Sequence, residues 1–152
     1  MLSVDGMRDQ VQRLARLVFL LWVGAVWTVG FVVVPRLFAM LPAFQAGRLA
    51  AGLFATVHLT ALLVLPVVIW MACSGRERVL AVVCWLGAAL SYGVLGPRIV
   101  ALAAAGEHGS ALHRLHAMAM VDYVLCALVA TVLAWSLVGQ VPAPAGKRDG
   151  LS

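Results

Sequence analysis

Four long apolar runs constrain this chain more than any other feature of it. No charged residue occurs from Leu17 to Pro35, from Leu49 to Gly75 or from Val79 to Pro97, and a fourth run, Leu115 to Val141, holds only Asp122. A helix rises about 1.5 Å per residue and the hydrocarbon core of a bilayer is about 30 Å thick, so each run is long enough to cross it. The whole chain, 152 residues, is 64% hydrophobic and 11% charged, against about 45–50% and about 25% in ordinary soluble domains. The runs lack the period-2 alternation of membrane strands. The first is longer than the core of a signal peptide and ends in bulky residues and proline, so it reads as a retained helix.

The expected fold is therefore an all-α membrane protein of four transmembrane helices, with residues 1–13 an N-terminal segment, 14–138 the four-helix domain and 139–152 a disordered tail. The net charge of +5 follows the connections between runs and forms no basic stripe interleaved with aromatics, which argues against nucleic acid. Arg8, Arg13, Arg16, Arg76, Arg78, Lys147 and Arg148 fall on the side of the termini and the middle loop, against Arg36, Arg48, Arg98 and Arg114 on the other. The positive-inside tendency then puts both termini in the cytoplasm. One lysine against ten arginines, with abundant Ala, Val and Gly, is the composition of a GC-rich bacterial genome, and the expected location is the bacterial inner membrane. Cys73, Cys84 and Cys126 have no CxxC spacing and read as small packing residues.

The first and third runs end alike, in VVVPRLFAML and VLGPRIVALA. Aligning Pro35-Arg36 with Pro97-Arg98 also brings Gly47 over Gly109, and with a one-residue slip Trp22-x-Gly24 over Trp85-x-Gly87. The chain thus reads as two copies of a helix pair, inserted the same way up and related by an axis along the membrane normal. Each Pro-Arg pair is either a helix end with a snorkelling arginine or one wall of a shared basic pocket. The spacings Gly47, Ala51, Ala55, then Gly52, Thr56, Thr60, and Gly87 with Ser91 suggest close helix contacts.

His58 and Asp122 are polar intrusions near mid-membrane. A carboxylate there costs several kcal/mol unless it is paired, protonated or wetted, roughly in line with insertion scales. His58 is the expected partner of Asp122, with Tyr92 as another. Such a pair either fixes helix order or handles a proton or a ligand. In ALHRLHAMAMVDY, His113 and His116 are neighbours on a helix surface, followed by Met120 and Tyr123 on the same stripe. Imidazole with thioether suits copper or haem iron, and equally the histidines serve as interfacial residues bonded to loop carbonyls. Phosphate loops, GxSxG, HExxH and paired carboxylates are missing.

GAVWTVGFVVVPRLFAML, AGRLAAGLF and RLHAMAMVDY together resemble the small four-helix membrane family of unknown function that includes eukaryotic transmembrane protein 205, over roughly Leu14 to Leu137. The matching positions are Trp27, Gly30, Pro35, Leu37 and Phe38, then Ala46, Gly47 and Phe54, then Leu115 and His116; Arg36 and Ala119 depart from the pattern. The resemblance implies fold and location but no reaction. A weaker resemblance runs to bacterial haem-linked protoporphyrinogen oxidase, whose first helix carries a histidine where this chain has only Phe19 and Trp22, and to copper-resistance membrane domains.

The leading expectation is a non-enzymatic membrane protein that binds or moves a small ligand, an anion among the candidates, through a polar pocket of Arg36, Arg98, His58, Asp122, His116 and Tyr123. The alternatives are a haem or copper oxidoreductase using His113, His116, Met120 and His58, and a structural subunit. The lipid bilayer is the expected partner, with a small-molecule ligand and a second copy of the chain as further candidates, and no resident cofactor is expected.

Overall fold

The computed structural model describes residues 4–72, 74–106 and 109–139. Six α-helices follow in order: α1 (Val4–Thr28), α2 (Val34–Met40), α3 (Ala43–Met71), α4 (Gly75–Leu90), α5 (Gly96–Ala104) and α6 (Ser110–Val138). Two π turns, Val29–Val33 and Ser91–Leu95, join α1 to α2 and α4 to α5 without a break. Four helices of membrane-crossing length result: Gln10–Met40, Ala43–Met71, Gly75–Ala104 and Ser110–Val138, the first to fourth spans. No strand occurs among the described residues. Residues 4–13 continue the first helix. The tail from 140 onward, with Lys147 and Arg148, lies outside the described residues, as does Cys73.

The spans pack in chain order, α1 on α3, α3 on α4 and α4 on α6, and α1 closes the ring against α6. Short connections make sequence neighbours antiparallel, so the first and third spans run one way and the second and fourth the other. The interior of the ring is made largely of small residues, among them Ala61, Ala81, Ala88, Ala127 and Ala130, plugged by the fully buried Phe19, Leu65, Leu133 and Cys84. Small residues let backbones approach where there is no hydrophobic force between helices. The outer surface is apolar: Trp135 is 83% exposed, Leu21 73% and Trp70 70%. Only lipid makes such a surface tolerable.

The Pro-Arg pairs do not end their helices. Each proline stands at the start of a short α-helix that prolongs its span by another turn or two. A proline ring would collide with the carbonyl four residues back and supplies no N–H to it. The π turn just ahead of each proline changes the rung, so that Val34 N–H bonds Val29 O and Gly96 N–H bonds Ser91 O. Both rungs reach back five residues, the wider spacing of a π helix. Arg36 and Arg98 consequently sit within helices and not in loops, and the connections at residues 41–42 and around 105–109 are far shorter than the sequence suggests.

Pro66 inside α3 has a different remedy. It leaves Leu62 O without its usual donor, and the indole N–H of Trp85 on the third span points at that oxygen, 3.4 Å away. Trp22 on the first span makes a similar bond, 3.0 Å long, to Val57 O. Two tryptophans therefore clasp the second span from either side. On its outer side, Gly47 and Gly52 have nothing within 4 Å of a Cβ position, and Ala51, Ala55 and Thr56 are exposed, so the small-residue spacings of this span do not make helix contacts within the chain. Thr56 and Thr60 satisfy their hydroxyls on the carbonyls of Gly52 and Thr56, as a helix facing hydrocarbon requires. The Gly87–Ser91 spacing, by contrast, does lie at a packed contact.

The third span starts from a capping box: Ser74 Oγ accepts from Glu77 N–H and Glu77 Oε2 accepts from Ser74 N–H. The SGRE sequence carries that signature.

If Trp85 serves the carbonyl that Pro66 orphans, the two positions are energetically coupled. Trp85→Phe is expected to cost about 0.5–2 kcal/mol more in the native background than in the Pro66→Ala background, where Leu62 O regains a backbone donor. A double-mutant cycle of unfolding in detergent measures it; equal costs would refute the coupling.

Candidate functional site at the centre of the bundle

Asp122 and Tyr123 are adjacent near the middle of α6, and successive helix residues point about 100° apart. Asp122 faces the third span and Tyr123 the first. Each meets a π turn there.

Tyr123 is buried, and its hydroxyl donates to Val26 O on the first span. The Gly30 backbone packs against the same ring and oxygen. Val26 and Gly30 are four residues apart, the spacing of an ordinary α-helical rung, so the hydroxyl takes a carbonyl that would normally meet the Gly30 N–H. Glycine is required for this approach, because a Cβ at position 30 would lie 2.5 Å from the tyrosine Cε1 and 3.1 Å from its oxygen.

Asp122 Oδ2 accepts a bond of 2.5 Å from the hydroxyl of buried Ser91, the first residue of the second π turn. One turn earlier, a Cβ at Gly87 would sit 2.9 Å from Asp122 Oδ1 and against the sulfur of Cys126. The fourth span therefore holds both π turns from one position, with a hydroxyl bond on each side.

His58 is not the hydrogen-bond partner of Asp122. Its Nδ1 lies 2.7 Å from Phe54 O on its own helix. A carbonyl only accepts, so Nδ1 carries a proton, and in the neutral ring the lone pair is then on Nε2. The ring stands edge-on to Tyr123 with centroids 6.0 Å apart, and Asp122 is close enough to act on it electrostatically. Tyr92 is exposed and makes no bond to the acid among the described residues.

Between these groups lies a cavity of about 10 Å³, walled by Trp22 from the first span, His58 from the second, Cys84 from the third, and Tyr123 and Cys126 from the fourth. Its volume is that of about one water molecule.

Residues 17–108 match the profile of a family described as domain of unknown function (DUF4149). This chain belongs to that family. The match takes in the first three spans and stops before α6. It supports an uncharacterised membrane family, and nothing in it ties the chain to transmembrane protein 205. None of the curated proteins and none of the solved structures compared with the chain matches it.

Of the residues singled out in the sequence, the fold brings together His58, Asp122 and Tyr123. Arg36 and Arg98 are exposed beyond the π turns and do not line the cavity. His113, His116 and Met120 are exposed on the first half of α6, with His113 Nδ1 3.5 Å from Gly109 O, so this stripe does not meet His58. Ser91, Cys84, Cys126, Trp22 and Gly30 are the residues that sequence reasoning did not assign to a site. For Ser91 the Gly87-x-x-x-Ser91 spacing was a signal of close packing, but nothing in it points to Asp122 as the neighbour.

Gly30→Ala drives a methyl group into the Tyr123 ring and is expected to destabilise the protein by about 1–3 kcal/mol. Gly24→Ala, with nothing within 4 Å of its Cβ position, should leave the melting temperature nearly unchanged. Ser91→Ala, which takes the donor from a buried carboxyl, should cost about 1–3 kcal/mol. Thermal unfolding of the three variants in one detergent checks the ranking, and a Gly24→Ala effect as large as that of Gly30→Ala would contradict it.

Proposed function

We propose that this chain is an integral protein of the bacterial inner membrane that binds a small ligand in its central cavity and helps to move it. The observation that carries this reading is that all four spans wall one mid-membrane cavity beside an acid, an imidazole and a phenol. Ionisable groups at that depth are costly and mark ligand or ion paths. The size of the cavity restricts the ligand to an ion or a similarly small solute in this conformation. Val26 and Ala88, each three residues ahead of a π turn, line it, and π turns inside α-helices are frequent at functional sites. A change of helix register at either turn would open the cavity, with the Tyr123 and Ser91 bonds as the latches.

Arg36 and Arg98 follow the π turns of two parallel spans, which sets both at the same membrane face. In this reading they gather an anionic ligand or lipid phosphate at the mouth and do not line the cavity. By sequence, Arg8, Arg13, Arg16, Arg76, Arg78, Lys147 and Arg148 fall on the side of the termini and the middle loop, and their excess over Arg36, Arg48, Arg98 and Arg114 supports cytoplasmic termini. The recurrence of a π turn followed by Pro-Arg supports descent of the two helix pairs from one repeated unit.

The test is ligand-induced thermal shift of the purified protein against a panel of small inorganic ions and carboxylates. At a hundredfold excess over the dissociation constant, binding stabilises by about 2.7 kcal/mol, which for a chain of this size raises Tm by roughly 5 °C or more. At least one ligand is expected to do so, with the shift lost in Asp122→Asn and reduced in Arg36→Gln. No shift from any member of the panel would overturn the reading. An absorption spectrum of the same sample separates it from haem chemistry, since a Soret band that vanishes in His116→Ala would put a redox protein in its place.

A further inference from the structure

The two described cysteines face each other across the third and fourth spans. Cys84 Sγ lies 3.6 Å from Cys126 O, Cys126 Sγ lies 3.9 Å from Cys84 O, and the two thiols adjoin. Both are free, and both line the central cavity with His58. Each thiol makes only weak hydrogen bonds, to the other's backbone carbonyl and, for Cys126, to Asp122 Oδ1.

We propose that Cys84 and Cys126 form a binding site for copper(I), with His58 as a third ligand. This deepens the reading of the cavity as a binding site and rests on it. Soft thiolate ligands favour copper(I) and zinc over hard cations, which seek carboxylate, carbonyl and water oxygens, and a set of two thiolates and one imidazole suits copper(I) better than zinc, which takes four ligands. The cavity offers sulfur and imidazole, and the rest of its wall is mainly apolar. Its volume suits one ion without a hydration shell.

The imidazole is already prepared. Its Nδ1–H is engaged by Phe54 O, and Nε2 has no hydrogen-bond partner among the described residues. An N–H held by a backbone carbonyl is the usual support of a metal-binding histidine. Among the described residues no three His, Cys, Asp or Glu side chains already converge on a common point. The two thiols are therefore the primary ligands, in a two-coordinate geometry that copper(I) accepts, and His58, which lines the same cavity with its Nδ1–H held by Phe54 O, is the third.

The step balances simply. Two S–H bonds break, two Cu–S bonds form, copper stays monovalent and two protons pass to solvent.

The experiment titrates the full chain, purified in detergent under argon with its thiols reduced, with copper(I) against a chromogenic copper(I) chelator. One ion per chain is expected, with X-ray absorption reporting sulfur neighbours. Cys84→Ala and Cys126→Ala should each weaken retention by roughly a hundredfold or more, and His58→Ala by roughly tenfold. Cys84→Ser and Cys126→Ser are the second pair, used if an alanine variant melts far below the wild type without copper. Failure of the wild type to retain copper(I), or retention that both cysteine variants leave intact, overturns the proposal. A wild type that ignores copper(I) yet is stabilised by another small ion in the thermal-shift panel overturns the copper site alone and leaves the cavity reading standing.

Discussion

Hydrocarbon offers a peptide group nothing to bond to, and the architecture of this protein follows from that. Every backbone N–H and C=O within the spans must find its partner inside the protein. A straight α-helix does so automatically, but Pro35, Pro66 and Pro97 each remove a donor from the middle of an apolar helix. The chain answers in two ways. Ahead of Pro35 and Pro97 the helix widens into a π turn. At Pro66 it stays α-helical and borrows the indole N–H of Trp85.

These local repairs also organise the bundle. A π turn exposes polar backbone to its neighbours, and here the fourth span supplies what meets it. Tyr123 bonds Val26 O and packs against Gly30, and Asp122 takes the hydroxyl of Ser91. Trp22 and Trp85 hold the second span from both sides, and Trp27 reaches Thr131 on the fourth at 2.9 Å. Interhelical bonds in membranes average well under 1 kcal/mol each, about 0.6 in one measured series. Their value here lies in direction, since each fixes the rotation of one helix against another in a core rich in alanine.

The same arrangement leaves a small cavity at the centre and an apolar exterior. The two hydroxyl latches sit at the points where the first and third spans depart from α-helical geometry. A protein that must open a path through such a core has its weakest rungs beside the cavity. The thiols of Cys84 and Cys126 occupy the same wall, so metal chemistry and helix movement would share one place.

Four spans, their lengths and the all-helical fold were legible in the sequence because charge-free runs of that length have one stable form in lipid. The depth of His58 and Asp122 was legible too, since helix rise converts residue count into distance. The partner of Asp122 was not. Sequence spacing says which residues share a helix face, but which neighbouring helix that face meets depends on the ring order and on helix rotation, and these are tertiary. His58 was the obvious basic partner, yet it turns to Phe54 O, while the modest Ser91 reaches the acid. Proline marked Pro35 and Pro97 as ends, and only the tertiary structure decided that a wider helical turn would carry the chain past them. The sequence by itself determined that these helices must lie in a membrane; the packing of Tyr123 and Asp122 against two π turns decided what lies between them, because a buried polar group takes the partner that geometry brings, whatever its charge.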